Sequence, residues 1–158
     1  MRKQFAEFLY KQMELNPDIY FITGDLGFGL FDKIRDDFPE RFFNVGAAEQ
    51  CMLDIGVGLA LSGKVPIVYS ITPFLLYRGF ETLRTYINHE KIPVKLVGSG
   101  RGNDYEHDGF SHDATDDTQV FDMLTNITMY YPHHPKLEDF FQGFLNNAGP
   151  AYLNLARK

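Results

Sequence analysis

NVGAAEQCMLDIGVGLALSGKVPIVYS, Asn44 to Ser70, decides the fold class. Ala48, Cys51, Met52, Ile55, Leu59 and Ala60 recur at helical spacing, which predicts a helix running to about Ser62 with Gly63 as its stop. The next segment, PIVYS, is short and apolar throughout, the pattern of a strand covered on both faces. A helix feeding a doubly buried strand is the repeating unit of a parallel sheet. One residue sits oddly in this helix: Glu49 places a carboxylate in the first turn, beside Gly46, Ala47 and Ala48. Taken alone it favours the positive end of the helix dipole, worth about 0.3 to 1 kcal/mol at an exposed site.

The same alternation extends in both directions. Upstream, Phe5, Phe8, Leu9 and Met13 mark a helix, NPD (Asn16 to Asp18) a turn, IYFIT a strand, FDKIRDDFPERF a short helix stopped at Pro39, and FFNV a brief strand. Downstream, FLLYRGFETLRTYINHE predicts a second long amphipathic helix and PVKLVGS a strand, followed by the polar loop GRGNDYEHDGFSHDATDD. A helix near Thr118 to Leu124, the strand ITMYY, the helix KLEDFFQGFLNNA and the strand AYLNLA complete the pattern. No tight hairpin joins any two strands, so the expectation is an α/β fold, a mostly parallel sheet with helices on both faces, as one domain over residues 1–158. Ligands of such folds bind beyond the carboxyl ends of the strands. GDLGFG, NVGAAEQ, SITPFLLY and the polar loop all fall there.

Composition narrows the function. The formal net charge is −6 and the 15 Lys and Arg residues form no basic block, which argues against nucleic acid as a partner. Cys51 is the sole cysteine, so no internal disulfide is possible, and its place in the apolar stripe predicts a buried, inert thiol. The start MRKQFAEFLYKQ lacks a signal peptide's apolar core, and no apolar run approaches the roughly 18 to 20 residues of a membrane span. A soluble, cytoplasmic setting is expected.

Single motifs carry little. GDLGFG lacks GxGxxG spacing and a P-loop lysine, and alone reads as a turn. His107, Asp108, His112 and Asp113 are metal-ligand types, but their spacing specifies no coordination geometry. His133 and His134 read as a solvated loop, and Phe74, Tyr77 and Phe80, at i, i+3 and i+6, as a core stripe.

Together, however, the pieces form an ordered set. The GDLG turn, ERFFNVGAAEQ, the span through PIVYSITPFLLYRGFETLR, the loop DGFSHDATDD and the end GPAYLNLARK resemble the pyrimidine-binding domain of transketolase-like thiamine diphosphate enzymes. That group includes transketolase and 1-deoxyxylulose-5-phosphate synthase, and the similarity covers nearly the whole chain. The resemblance implies that Glu49 hydrogen-bonds the ring nitrogen of the cofactor's aminopyrimidine, promoting the imino tautomer that removes the thiazolium proton. Such a role needs a carboxyl group able to share a proton near neutral pH, and therefore burial that disfavours its charged form. It further implies Tyr77 as the stacking face, Phe74 as pocket wall and Phe80 as an aromatic neighbour or core support. Asp108 and His112 match positions that contact the donor's oxygen atoms. Arg101 matches an arginine of the deoxyxylulose-phosphate synthases, whereas the histidine that transketolases place one residue earlier is here Gly100.

The family holds the diphosphate and its metal, Mg2+ or alternatively Ca2+ or Mn2+, with a second domain marked by GDG and a downstream Asn. GDLG lacks the third-position glycine, and Asn44, Asn146 and Asn147 fall at the wrong spacing. The family usually continues into a C-terminal domain, which the residues matched here are not expected to include. The resemblance therefore implies a split enzyme in which a separate diphosphate-binding subunit supplies the metal site, as a heterotetramer of two plus two. The implied reaction transfers a two-carbon unit from a ketose or 2-oxo acid to an aldehyde acceptor. The alternatives are a pyruvate-using acyloin synthase or decarboxylase, through Arg101, and a non-catalytic regulatory or binding relic of the domain.

Overall fold

The computed structural model describes residues 1–133 and 136–157; His134 lies outside the described residues. Six strands, β1 (Ile19–Thr23), β2 (Phe42–Asn44), β3 (Val65–Ile71), β4 (Lys95–Ser99), β5 (Thr128–Tyr130) and β6 (Ala151–Leu155), form one sheet in the order β2-β1-β3-β4-β6-β5. Every pairing is parallel. The continuously apolar strands are explained by cover on both sides. Ile67 and Tyr69 of β3, Val97 of β4 and Leu153 of β6 pack with helices α1 (Arg2–Leu15), α2 (Asp32–Asp37) and α7 (Leu137–Asn146). The intervening Val68, Leu96 and Tyr152 pack on the opposite side with α3 (Glu49–Leu61), α4 (Thr72–Tyr77), the short α5 (Phe80–Thr82) and α6 (Asp117–Met123). On the first side α1 meets α7 through Phe5 and Phe141, edge to face at 5.4 Å, a pair worth about 0.5 to 1.5 kcal/mol beyond its buried area.

Two expectations are corrected. The long helix predicted from Phe74 onward is broken after α4, and the chain from Leu83 to His89 winds as a π-helix. The break lies at Arg78 and Gly79, where a Cβ on Gly79 would stand 2.2 Å from Leu53 Cδ1 of α3. Close packing on α3 thus requires a residue that interrupts the helical pattern. The second correction concerns the face of α3. Cys51 is exposed, while Glu49, Met52, Leu53, Gly56 and Val57 are buried. The helix is apolar over most of its circumference, and choosing a stripe that excludes the charged residue rotates the predicted face away from the true one.

At the amino end of β4, Lys95 is 2 % exposed and donates to the carbonyls of Asn147 and Gly149, both neutral partners. Burial accordingly lowers its pKa from 10.5 to about 8. Above the lowered value the unfolded chain binds more protons than the folded one, so stability rises with pH from about 8. Burial, followed by the Asp117 carboxylate, raises the hydroxyl pKa values of Tyr131 and Tyr152, which reverses the trend once unfolded-state tyrosines ionise near pH 10. Denaturant melts should show a gain of about 1 to 2 kcal/mol between pH 8 and 9.5, and Lys95→Met should flatten that rise. An unchanged slope in the variant would assign the rise to another group.

Candidate functional site

The chain leaves β1 for β2 on one side and, after β2, returns to β3 on the other, so the sheet reverses direction between β1 and β3. A crevice opens beyond the carboxyl ends at such a switch point. Asn44, the last residue of β2, ties the loops there. Its Oδ1 accepts from the backbone N–H of Asp25 at 2.9 Å and of Gly46 at 3.0 Å. Glu49 follows as the first residue of α3 and is 3 % exposed. Gly24, just past β1, stands next to it: a Cβ there would lie 2.9 Å from the Gly46 carbonyl oxygen and 3.9 Å from Glu49 Oε1. Bare backbone at position 24 is what lets loop and carboxylate come together. One row along the sheet, the Ser70 hydroxyl is buried and has no hydrogen-bond partner among the described residues.

Glu49 is not left as an isolated buried charge, which would be costly. Arg78 Nη1 donates to Glu49 Oε1 at 2.8 Å, and the guanidinium carbon lies 3.6 Å from the centre of the Phe74 ring. Phe74 in turn meets the His112 imidazole edge to face at 4.7 Å. Glu49, Arg78, Phe74 and His112 therefore form one contiguous series. Beside it lies a cavity of about 240 Å3 lined by Phe74, Tyr77, Arg78, Phe110 and Asp116 among others, and Phe110 is 91 % exposed. Burial, and then a hydrogen bond to Asp116, raise the Tyr77 hydroxyl pKa, keeping that side chain neutral. A buried carboxylate beside flat aromatic walls suits a planar nitrogen heterocycle that offers one edge for hydrogen bonding and a face for stacking.

The other sequence-predicted residues are placed differently. Phe80 packs against the core on the α3 side of the sheet. Asp108 is exposed and pairs with His107 at 3.2 Å on the outer part of the polar loop. Arg101 spends Nε on Asn154 Oδ1 at 2.9 Å and Nη2 on the Pro132 carbonyl at 2.9 Å and the Asn154 carbonyl, bracing β6. Gly100 has φ +91°, and a Cβ there would lie 2.4 Å from the Tyr105 ring, so the aromatic ring fills the space that a side chain at 100 needs. Among the described residues no group of three His, Cys, Asp or Glu is arranged to hold a metal ion.

Arg78 and a second cluster escaped the sequence reading. Asp117, 5 % exposed, accepts at Oδ2 from Tyr131 at 2.6 Å, Asn154 at 2.7 Å and Tyr152 at 3.3 Å. The available signal was Asn154, an amide in the middle of the apolar AYLNL strand, which needs a polar partner when buried. A further cleft of about 370 Å3 is lined by Arg2, Lys3, Gly27, Phe28 and Arg157 among others, a gathering of three cations in a chain of net charge −6. Tyr105 links it to the first cavity: its hydroxyl accepts from Arg2 Nη1 at 3.1 Å, and its ring lies 6.3 Å from that of His112.

Residues 1–155 match the family described as "Transketolase, pyrimidine binding domain". The chain belongs to that family. The transketolase pyrimidine-binding domain is here similar over its full length to the "Putative transketolase C-terminal section" of Methanocaldococcus jannaschii, at 30% identity and covering 51% of that protein. It is 33% identical to an apulose-4-phosphate transketolase subunit of Actinobacillus succinogenes, covering all of this chain and 50% of that one. A solved structure, "Split gene transketolase, inactive beta4 tetramer", superposes with a TM-score of 0.86 at 28% identity over 99% of this chain and 50% of the other. This transketolase pyrimidine-binding chain thus spans about half the length of the curated relatives it matches. No helix among its described residues is long and apolar enough to cross a membrane.

Proposed function

We propose that the chain is the pyrimidine-domain subunit of a split, thiamine-diphosphate-dependent transketolase-like enzyme, transferring a two-carbon unit from a ketose to an aldehyde. The carrying observation is Glu49, buried at the start of α3 beside the Gly24 backbone and joined to the Phe74 ring through Arg78. The Gly24 cradle and the aromatic cavity fit an aminopyrimidine. When bound, thiamine diphosphate supplies the electron sink for carbon–carbon cleavage.

The chain's own residues orient and desolvate. Glu49 donates its carboxyl proton in a hydrogen bond to the ring nitrogen on the pyrimidine edge and so shares it, while Phe74 and Tyr77 hold the ring in register. His112, at the edge of Phe74, faces the donor's hydroxyl groups, with Asp108 farther out on the same loop. Arg2, Lys3 and Arg157 suit an anionic donor such as a sugar phosphate. Diphosphate and divalent metal, Mg2+ or its Ca2+ or Mn2+ replacements, belong in this reading to a separate subunit that covers Tyr77 and Phe110, in a heterotetramer of two plus two. Arg101, on which a pyruvate-using acyloin reaction would depend, already braces β6 through Nε and Nη2, which favours the ketose reading.

The test mixes the chain with a transketolase-like subunit carrying the GDG signature. Neither chain alone should cleave a ketose phosphate, and the mixture should do so only with thiamine diphosphate and a divalent metal. Preference for pyruvate over every ketose phosphate would replace this reading with the acyloin one, and a mixture that binds no cofactor would end both.

A further inference from the structure

Arg78 occupies, with one planar group, the two surfaces that the pyrimidine reading requires. Its guanidinium is flat, donates from its edge to Glu49 Oε1 at 2.8 Å, and lies 3.6 Å over the Phe74 ring. An aminopyrimidine likewise presents a planar face and a hydrogen-bonding edge to the same carboxyl group, its ring nitrogen accepting where the guanidinium donates. The two therefore compete for one carboxylate oxygen and one aromatic face. The arginine has somewhere else to go: its side chain is 46 % exposed, against 3 % for Glu49, so rotation carries its charge into water without burying it elsewhere. The change needs only side-chain rotation, since the Arg78 backbone stays helical with its N–H donating to the Phe74 carbonyl.

The exchange also matters chemically. While Arg78 is in place, Glu49 is one half of an ion pair. Its role in the proposed reaction is to share a proton with a ring nitrogen, which a guanidinium bonded to the same oxygen opposes.

We propose that Arg78 is an internal stand-in for the pyrimidine, a latch whose release from Glu49 and Phe74 accompanies cofactor binding. This rests on the pyrimidine reading of Glu49. A latch lowers apparent affinity by the fraction of molecules it holds closed, so its removal should tighten binding.

The experiment measures thiamine diphosphate dissociation constants, by titration calorimetry with saturating Mg2+, for the reconstituted two-subunit complex carrying wild-type chain, Arg78→Met or Arg78→Gln. Methionine keeps apolar cover on Phe74 and glutamine keeps an edge donor without the charge. Both should bind about three- to tenfold more tightly than wild type, in the range of an ion pair lost from a half-exposed position. A general loss of structure would weaken binding instead, and if Arg78→Met does not fold, Arg78→Gln decides. Equal or weaker binding by the folded variants, with wild type binding normally, overturns the latch and leaves the pyrimidine reading standing. Failure of the wild-type complex to bind at all overturns both.

Discussion

Glu49→Ala should lower cofactor-dependent turnover of the reconstituted complex by roughly 10^2- to 10^4-fold, the range for loss of a positioned proton-transfer group, while leaving the chain folded. The loss follows from removing the buried carboxylate at the start of α3, the group that takes the pyrimidine edge in the proposed reaction. The stability side follows from the asymmetry of its ion pair. The variant releases Arg78, already half in water, and removes the member that is costly to bury, so unfolding free energy should change by no more than about 1 kcal/mol. Glu49→Gln, which keeps a hydrogen-bonding edge but cannot share a proton in the same way, should bind cofactor better than alanine and still turn over slowly. Steady-state rates beside denaturant melts separate these effects. Near-normal turnover by the alanine variant would remove Glu49 from the chemistry.

Asp117→Ala should do the opposite, acting on stability. Tyr131, Asn154 and Tyr152 converge on one carboxylate oxygen, and truncation strands their hydrogens where the Asn154 and Tyr152 side chains are wholly buried. Each buried unsatisfied group costs about 1 to 3 kcal/mol, and the Asn154 amide keeps its bond to the Tyr152 hydroxyl. The expected net loss is about 3 kcal/mol, a fall in Tm of roughly 6 to 12 °C for a chain of this size. Asp117→Asn retains an acceptor and should lose less than half as much. A change below about 1 kcal/mol in Asp117→Ala would show that water replaces the carboxylate without penalty.

Much of the fold was legible because the strands are apolar on both faces and the helices between them have clear stops. IYFIT, PIVYS and PVKLVGS fall on β1, β3 and β4, and the parallel sheet follows from the absence of hairpin turns. The break at Gly79 was hidden because one glycine inside an amphipathic run is often tolerated, and what makes it decisive is a neighbour distant in sequence, Leu53. The exposure of Cys51 was hidden for a related reason: the apolar stripe was drawn without Glu49, whereas Arg78 allows that carboxylate to point in and turns Cys51 outward.

The site was legible in part. Glu49, Phe74 and His112 are linked through Arg78, and Tyr77 lines the adjoining cavity, while Phe80 packs against the core as the support role allowed and Arg101 is committed to β6. Arg78 stands four residues after Phe74, and nothing in that spacing distinguishes it from an ordinary surface arginine. Its importance appears only once the carboxylate 29 positions upstream is known to be buried beside it.

The most direct measurement is a crystal structure of the chain bound to its diphosphate-binding partner with thiamine diphosphate. The account predicts a pyrimidine ring nitrogen about 2.7 to 3.2 Å from the Glu49 carboxylate, with the ring against Phe74 and Tyr77. A pyrimidine ring seated elsewhere, with Glu49 still paired to Arg78, would contradict it.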